Sequence, residues 1–385
     1  MPIIYPAKII KNDTFVRVEH EIEFFNETDY PSVIWYEIPV EFENLLCGDN
    51  MNGIVIAVLP IAMILEEKLV IKGKLSPRLL FGLREYQRVF HSILKDKINF
   101  IDIEPNALKP DLPYVKNSSA ISLFSGGVDS FYTLYHHNRQ NEKVSDYQIS
   151  HLLFAHGLDI KLEEQTIFER VFENYNDLAN RLDVHLVKMK CNFRRYIPDY
   201  SMFHAPCFLA LAQCISKNFS CIYIPSTLSY RNPAIWGSTI YTDHCFSTEK
   251  TFVFHNGANK DRTQKIEQLI FWKETYSHLR VCFSPNIEKN NCGKCEKCLR
   301  TMIPLNNLGM LNRYSVFPQK ILWSLITMIF FSRKTISPHF YHTTMIQCLR
   351  RGKILYLFLL CCFWCKCYLY KRFIPSHKNI YDLVK

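Results

Sequence analysis

The sequence predicts an α/β protein built on a parallel sheet, with a β-rich module ahead of the sheet and a basic helical tail behind it. Three observations predict this. From about residue 118, short apolar runs alternate with longer runs of helical periodicity. A double-glycine turn stands where the first of these strands hands over to its helix. Charge is also unevenly placed: residues 311–385 hold 12 of the 46 Lys/Arg and one of the 36 Asp/Glu, leaving the first 310 residues nearly neutral.

A chain of 385 residues fits two or three domains. With 48% hydrophobic and 21% charged residues it is a folded protein and not a disordered one. Its start shows no basic segment followed by an apolar run, so no secretory signal is expected. The 15 cysteines lack the spacing of a small disulfide scaffold, and a reducing, cytoplasmic setting is expected.

Residues 1–115 read as a β-rich accessory domain. TFVRVEHEIEFF (14–25) alternates like a half-buried strand, and SVIWYEIPVEF (32–42) and NGIVIAVLPIAMIL (52–65) read as further β-rich or buried runs. SPRLLFGLREYQRVFHSILKD (76–96) is an amphipathic helix, with Ser76 as N-cap and Pro77 at the first helical position. The proline-bearing EPNALKPDLPYVKNSSA (104–120) reads as a linker into a second domain, residues 116–310.

That domain runs strand AISLF, a helix from Ser130, strand SHLLFAHG, helix 162–182, strand VHLVKMK, helix 205–218 and strand CIYIPST. Such a succession makes a parallel sheet whose ligands bind beyond the carboxyl ends of the strands. The tail, residues 311–385, contains ILYLFLLCCFWCKCYLY (354–370), shorter than a membrane span requires and read as a buried or interfacial helix. Its basic flanks suit nucleic acid, an anionic membrane surface or plain solvent.

The turn reads SLFSGGVDS, residues 122–130. Gly126 and Gly127 let the backbone approach a ligand closely, and the helix behind them supplies unpaired amides and a favourable dipole. Ser125 and Ser130 add hydroxyls. Asp129 suits magnesium better than bare phosphate. The loop is neither a Walker A loop nor G-x-G-x-x-G. Its plain alternative is a glycine turn that merely opens a helix.

Residues 282–300, CFSPNIEKNNCGKCEKCLR, place Cys282, Cys292, Cys295 and Cys298 at C-x9-C-x2-C-x2-C. Four thiolates suit a closed, structural Zn2+ site. An iron–sulfur cluster or packed free thiols are the alternatives.

The SGGVDS stretch resembles the signature of the PP-loop ATP pyrophosphatases, which implies an adenine nucleotide alpha-hydrolase-like domain binding ATP and Mg2+. With the cysteine cluster, residues 118–305 resemble the 7-cyano-7-deazaguanine synthase family of queuosine-type chemistry. Pro225-Ser226, Trp236-Gly237-Ser238, Asp243 with Ser247-Thr248, and Cys292 through Thr301 resemble more closely its larger bacterial relatives in modification and anti-phage defence systems. The resemblance implies a ligase that adenylates a carboxyl or amide oxygen, releases pyrophosphate and AMP, and lets nitrogen attack.

On that reading Ser125, Gly126, Gly127, Val128, Asp129 and Ser130 bind the phosphates and magnesium, and His156, Gly157 and Asp159 complete the nucleotide site. Arg262 and Lys265, in the helix KDRTQKIEQLI, act with Asp129 in catalysis, and Arg300 is a further cation for the α-phosphate. Arg231, Trp236, Ser238 and Asp243 are assigned to the substrate; Trp236 equally suits the core. Arg194, Arg195 and His204 are lesser candidates, with solvated charges or a satisfied histidine as the alternatives.

The acceptor is a small molecule or a macromolecule, with nucleic acid, a protein partner, a homodimer and peripheral membrane contact through the tail all left open. A tRNA-thiolating enzyme using Cys191 and Cys207, or a non-catalytic nucleotide-binding component of a defence complex, are the rival functions.

Overall fold

The computed structural model describes the chain apart from residues 49, 95–97, 112–117, 235, 283–289, 319, 332–337 and 374–385. It divides into two compact units: residues 1–125, 136–226 and 231–258, and residues 126–135, 227–230 and 259–385.

The first unit holds an α/β fold with a mostly parallel sheet. Its strands are β1 Ile3–Ile4, β2 Lys8–Lys11, β3 Phe15–Glu23, β4 Val33–Pro39, β5 Leu69–Leu75, β6 Ile103–Leu108, β7 Ser119–Leu123, β8 Ile149–His156, β9 His185–Cys191, β10 Phe219–Pro225 and β11 Phe252–Asn256. They lie in the order β11-β10-β7-β8-β9-β4-β3-β1-β5-β6, with β2 on β3. The α-helices among the described residues are α1 Asn52–Leu65, α2 Pro77–Ile93, α3 Val128–His137, α4 Gln165–Leu182, α5 Tyr200–Cys214, α6 Arg262–Leu269, α7 Thr275–His278, α8 Glu296–Asn307, α9 Ile321–Phe331, α10 His342–Arg350 and α11 Ile354–Phe373.

β7 through β11 pair in parallel, as the alternating pattern requires. The order steps from β7 to β8 and β9 on one side, then returns to β10 and β11 on the other. The carboxyl ends of β7 and β10 therefore form a topological switch point, where such sheets open a ligand crevice. α4 earns its amphipathic pattern: Phe168, Val171, Tyr175 and Leu178 are all buried.

Residues 1–115 lie in the same unit as the parallel strands. β4 joins β9 antiparallel, with Tyr36 opposite Cys191 and Glu37 opposite Lys190. The run 52–65, expected as β-rich or buried, is the buried helix α1. It is apolar on every side, so it carried no helical periodicity, and it packs on α5 through Gly53. A Cβ at Gly53 would stand 2.5 Å from the Ala210 carbonyl oxygen. α2 starts as its residues dictate, Ser76 Oγ accepting from the Leu79 amide at 3.0 Å behind Pro77. The stretch expected as a linker contributes β6, parallel to β5; its residues 112–117 lie outside those described.

The second unit is helical. α8 packs on α6, α9 and α10, and α11 packs on α9 and α10. The tail is tied in by polar side chains: Thr343 Oγ1 donates to Asp261 at 2.6 Å, and Gln347 Nε2 donates to Glu267 at 2.8 Å. No described helix is long and apolar enough to cross a membrane.

Candidate functional site

In the second unit the chemistry gathers around the first turn of α3. Gly126 has φ +71°, the left-handed region that favours glycine, and its carbonyl accepts from the Arg280 amide at 2.7 Å. Val128 is fully buried, and Ser130 Oγ donates to the Gly127 carbonyl at 3.0 Å. Ser125, at the end of the first unit's first segment, has its carbonyl held by Tyr175 Oη at 3.2 Å.

Two cations meet the Asp129 carboxylate. Lys265 Nζ lies 2.8 Å from Oδ1, and Arg262 Nη1 lies 3.2 Å from Oδ2. Both cations come from the first turn of α6, which Asp261 and Gln264 close with a reciprocal capping box. Three residues apart on one helix, they face the same way. Burial alone would raise the Asp129 carboxyl, but the charges of Lys265, Arg262 and Arg300 and the Lys265 hydrogen bond hold it below its ordinary value. Burial and the neighbouring Arg300 charge pull Arg262 down.

The cluster carries more positive than negative charge. Lys265, Arg262 and Arg300 face Asp129 and Glu296. The Nε of Arg262 is buried without a hydrogen-bond partner among the described residues, whereas the Nε of Arg300 lies 3.2 Å from Glu296 Oε1. A buried guanidinium donor of this kind can be completed by water or by an anion.

α8 links this cluster to the cysteines. Arg262 Nη2 donates to Thr301 at 3.3 Å, one turn along from the cysteine-bearing start of the helix. The sulfurs of Cys282, Cys292, Cys295 and Cys298 all lie within 4.8 Å of one another, so the four cysteines could hold a metal such as zinc. The closest separations, 3.7 Å for Cys282–Cys295 and 3.9 Å for Cys292–Cys298, match the roughly 3.8 Å edge of a tetrahedron with zinc–sulfur bonds of about 2.3 Å. Gly293, at φ +70°, makes the tight turn, and the amides of Lys294 and Cys295 donate to Cys292 Sγ at 3.4 and 3.3 Å. Asn291 fixes the approach, accepting from the Val281 amide and donating to the carbonyls of Leu279 and Val316. Four protein ligands would leave no open position, so a metal held there would be structural.

The first unit holds the remaining candidates in two groups. At the ends of β8 and β9, Tyr200 Oη donates to Asp159 at 2.5 Å, and the Arg194 guanidinium covers the Tyr200 ring at 4.5 Å. Arg194 also donates to the Leu158 carbonyl. His204 lies in the second turn of α5, bonded to the Tyr200 carbonyl at 3.1 Å and edge-on to Trp236 at 5.8 Å. Burial lowers the His204 imidazole. His156 is spoken for: its Nε2 meets the Lys161 carbonyl at 2.8 Å, its ring stacks on Phe168, and burial lowers it. Gly157, at φ +102°, leaves room for the Cys191 carbonyl oxygen, which a Cβ would approach to 2.0 Å. Arg195 and Arg231 are exposed.

In the second group Asp243, fully buried, accepts from Ser238 Oγ and from His255 Nδ1, each at 2.7 Å, and from the Thr239 amide at 3.2 Å. His255, Tyr200 and Arg280 were not singled out in the sequence, and Thr301 was marked only as the end of the Cys292–Thr301 stretch. His255 ends a strand that no local motif marks, while Arg280 acts through its backbone amide, which no residue type betrays.

No protein-family model matches the sequence, and comparison with curated proteins and with solved structures returns no match.

Proposed function

We propose that the chain is an ATP-dependent adenylating enzyme of the PP-loop type. It activates a carboxyl or amide oxygen, releases pyrophosphate and then AMP, and lets a nitrogen nucleophile take the activated carbon. The observation that carries this reading is the cation-rich cluster on Asp129, set at the N-terminus of α3 behind a left-handed glycine. A triphosphate would supply an acceptor oxygen for the buried Nε of Arg262, which has no hydrogen-bond partner among the described residues.

In the proposed step the acceptor oxygen attacks the α-phosphorus and the bond to the α–β bridging oxygen breaks. Lys265 and Arg262 stabilise the negative charge that builds on the α-phosphate. Nitrogen then adds to the adenylated carbon, and AMP departs with the former acceptor oxygen. Both Asp129 oxygens are engaged by cations, so a magnesium ion would take most of its ligands from the triphosphate and its waters. Sulfur transfer has less support. Burial pushes the Cys191 thiol up to about 12 and raises Cys207 too, which makes both poor nucleophiles.

The test is a product assay with Mg-ATP, ammonium and 7-carboxy-7-deazaguanine. Equimolar AMP and pyrophosphate with an amide or nitrile product supports the proposal in full. Nucleotide binding lost in Asp129→Ala, without turnover on that base, retains the nucleotide site and directs the search to macromolecular acceptors. Absence of ATP binding by folded, metal-loaded protein overturns the proposal.

A further inference from the structure

The helix α11 is apolar on all sides, yet the chain covers only one of them. Leu359, Leu360, Phe363 and Cys367 are buried, Phe363 edge-on to Tyr341 at 5.6 Å. The opposite side exposes Ile354, Leu355, Phe358, Cys361, Cys365 and Tyr368, which recur at helical spacing along four turns. Ile354, Phe358 and Tyr368 are each about 60% exposed. A helix apolar all round is ordinarily covered all round, and a continuous exposed stripe of this length marks an interaction surface.

Lys366 is the sole charged residue between Ile354 and Leu369, and it does not interrupt the stripe. Its ammonium turns inward, donating to the Ile329 carbonyl at 2.5 Å in the last turn of α9. α9, which packs on α11, exposes Trp323 and Phe330.

The end of α10 and the turn into α11 read Leu349-Arg350-Arg351-Gly352-Lys353. Leu349, Arg350 and Arg351 are exposed, and none of the three cations forms an ion pair among the described residues. Unpaired cations therefore sit at the head of the exposed apolar stripe. Aromatic and aliphatic side chains beside unneutralised arginines fit a surface that is apolar below and anionic above. No described helix is long and apolar enough to cross a bilayer, so a membrane contact through α11 would be peripheral.

We propose that the exposed face of α11, with the Arg350–Lys353 turn, docks this chain on an anionic lipid bilayer. The site is separate from the Asp129 cluster, and the test does not depend on the proposed enzyme activity. The full chain is floated with phosphatidylcholine vesicles with and without phosphatidylserine, and its oligomeric state is followed by sedimentation velocity. Binding is expected to require phosphatidylserine, to weaken about fivefold for each of Arg350→Gln and Arg351→Gln, and to be lost in Phe358→Glu. These side chains are exposed, so metal content and melting should stay unchanged, and the arginine variants leave the apolar stripe intact. Absence of flotation, or equal binding to neutral vesicles, overturns the proposal. So does a dimer that Phe358→Glu dissociates without any vesicle binding, which would assign the stripe to a second copy of the chain.

Discussion

Lys265 Nζ stands 2.8 Å from Asp129 Oδ1 across 136 residues of sequence, and the lysine is 1% exposed. An ammonium held that deep depends on its carboxylate, and the carboxylate on it. Lys265→Met is therefore expected to cost about 3–5 kcal/mol, read from urea denaturation, because it strips a buried partner. Asp129→Asn combined with Lys265→Met should cost less than the sum of the single changes. An additive result would mean that the two groups do not share their charge.

The same carboxyl gives a pH signature. Asp129 lies below its ordinary value of 3.8 in the folded chain. Its contribution to stability is complete above that value and is lost as pH falls through the lower folded one. Asp129→Asn should flatten this part of the acid limb of a stability–pH curve. A variant whose acid limb matches the parent's would contradict the assignment.

Removal of the metal should loosen the start of α8, which two of the four cysteines occupy. Structural zinc sites commonly carry apparent binding energies of about 10–16 kcal/mol, so Cys298→Ser or strong chelation should lower stability by at least about 3 kcal/mol. The proposed nucleotide binding should weaken in parallel, since Thr301 on the same helix accepts from Arg262. Metal analysis and melting curves, with and without chelator, decide this. A chelated protein that melts at the same temperature would remove the metal from the fold.

His151 and His185 face each other on β8 and β9, their rings 4.8 Å apart, with Phe42 edge-on to both. Burial first, and the His185 charge second, pull His151 down to about 4, while Ser150 Oγ contacts its Nδ1 at 2.7 Å. A histidine kept neutral by folding contributes stability that is present above about pH 6.5 and is lost as pH falls toward its folded value. His151→Phe should remove about 2 kcal/mol of the decline between neutral pH and about pH 4. Urea midpoints across that range test it, and parallel curves for parent and variant would count against it.

The parallel half of the sheet was legible because each element announced itself. α4 carries its apolar residues at helical spacing, and β8 and β10 are short apolar runs between turn residues. The cysteine cluster was legible for a different reason: C-x2-C spacing is local, so sequence separation and spatial proximity agree. α1 was ambiguous, since a helix buried on all sides has no polar face to set its period. The β4–β9 pairing joins residues some 155 apart, and no side-chain pattern encodes which edge a strand will choose. Arg262 and Lys265 were read from a charged helix alone; their meeting at Asp129 depends on the placing of α6 against α3, which the sequence does not specify.

Asp243 shows how a pair of candidates acquires a third member. Ser238 and Asp243 were expected to meet a substrate, and in the structure they meet each other and His255. The arrangement is no nucleophilic triad, because Ser238 donates to the carboxylate directly and lies 3.4 Å from the imidazole nitrogen that the same carboxylate holds. Asp243→Ala would leave three donors without an acceptor in a fully buried position, at a cost of about 3–5 kcal/mol. Asp243→Asn should cost less, since its remaining oxygen still accepts from the Thr239 amide. His255→Phe would remove one donor, and a double-mutant cycle with Asp243→Asn measures how far the two depend on each other. Coupling of about 1 kcal/mol or more is expected. A value near zero would mean that Ser238 and Thr239 alone hold the carboxylate, and that the imidazole is a bystander.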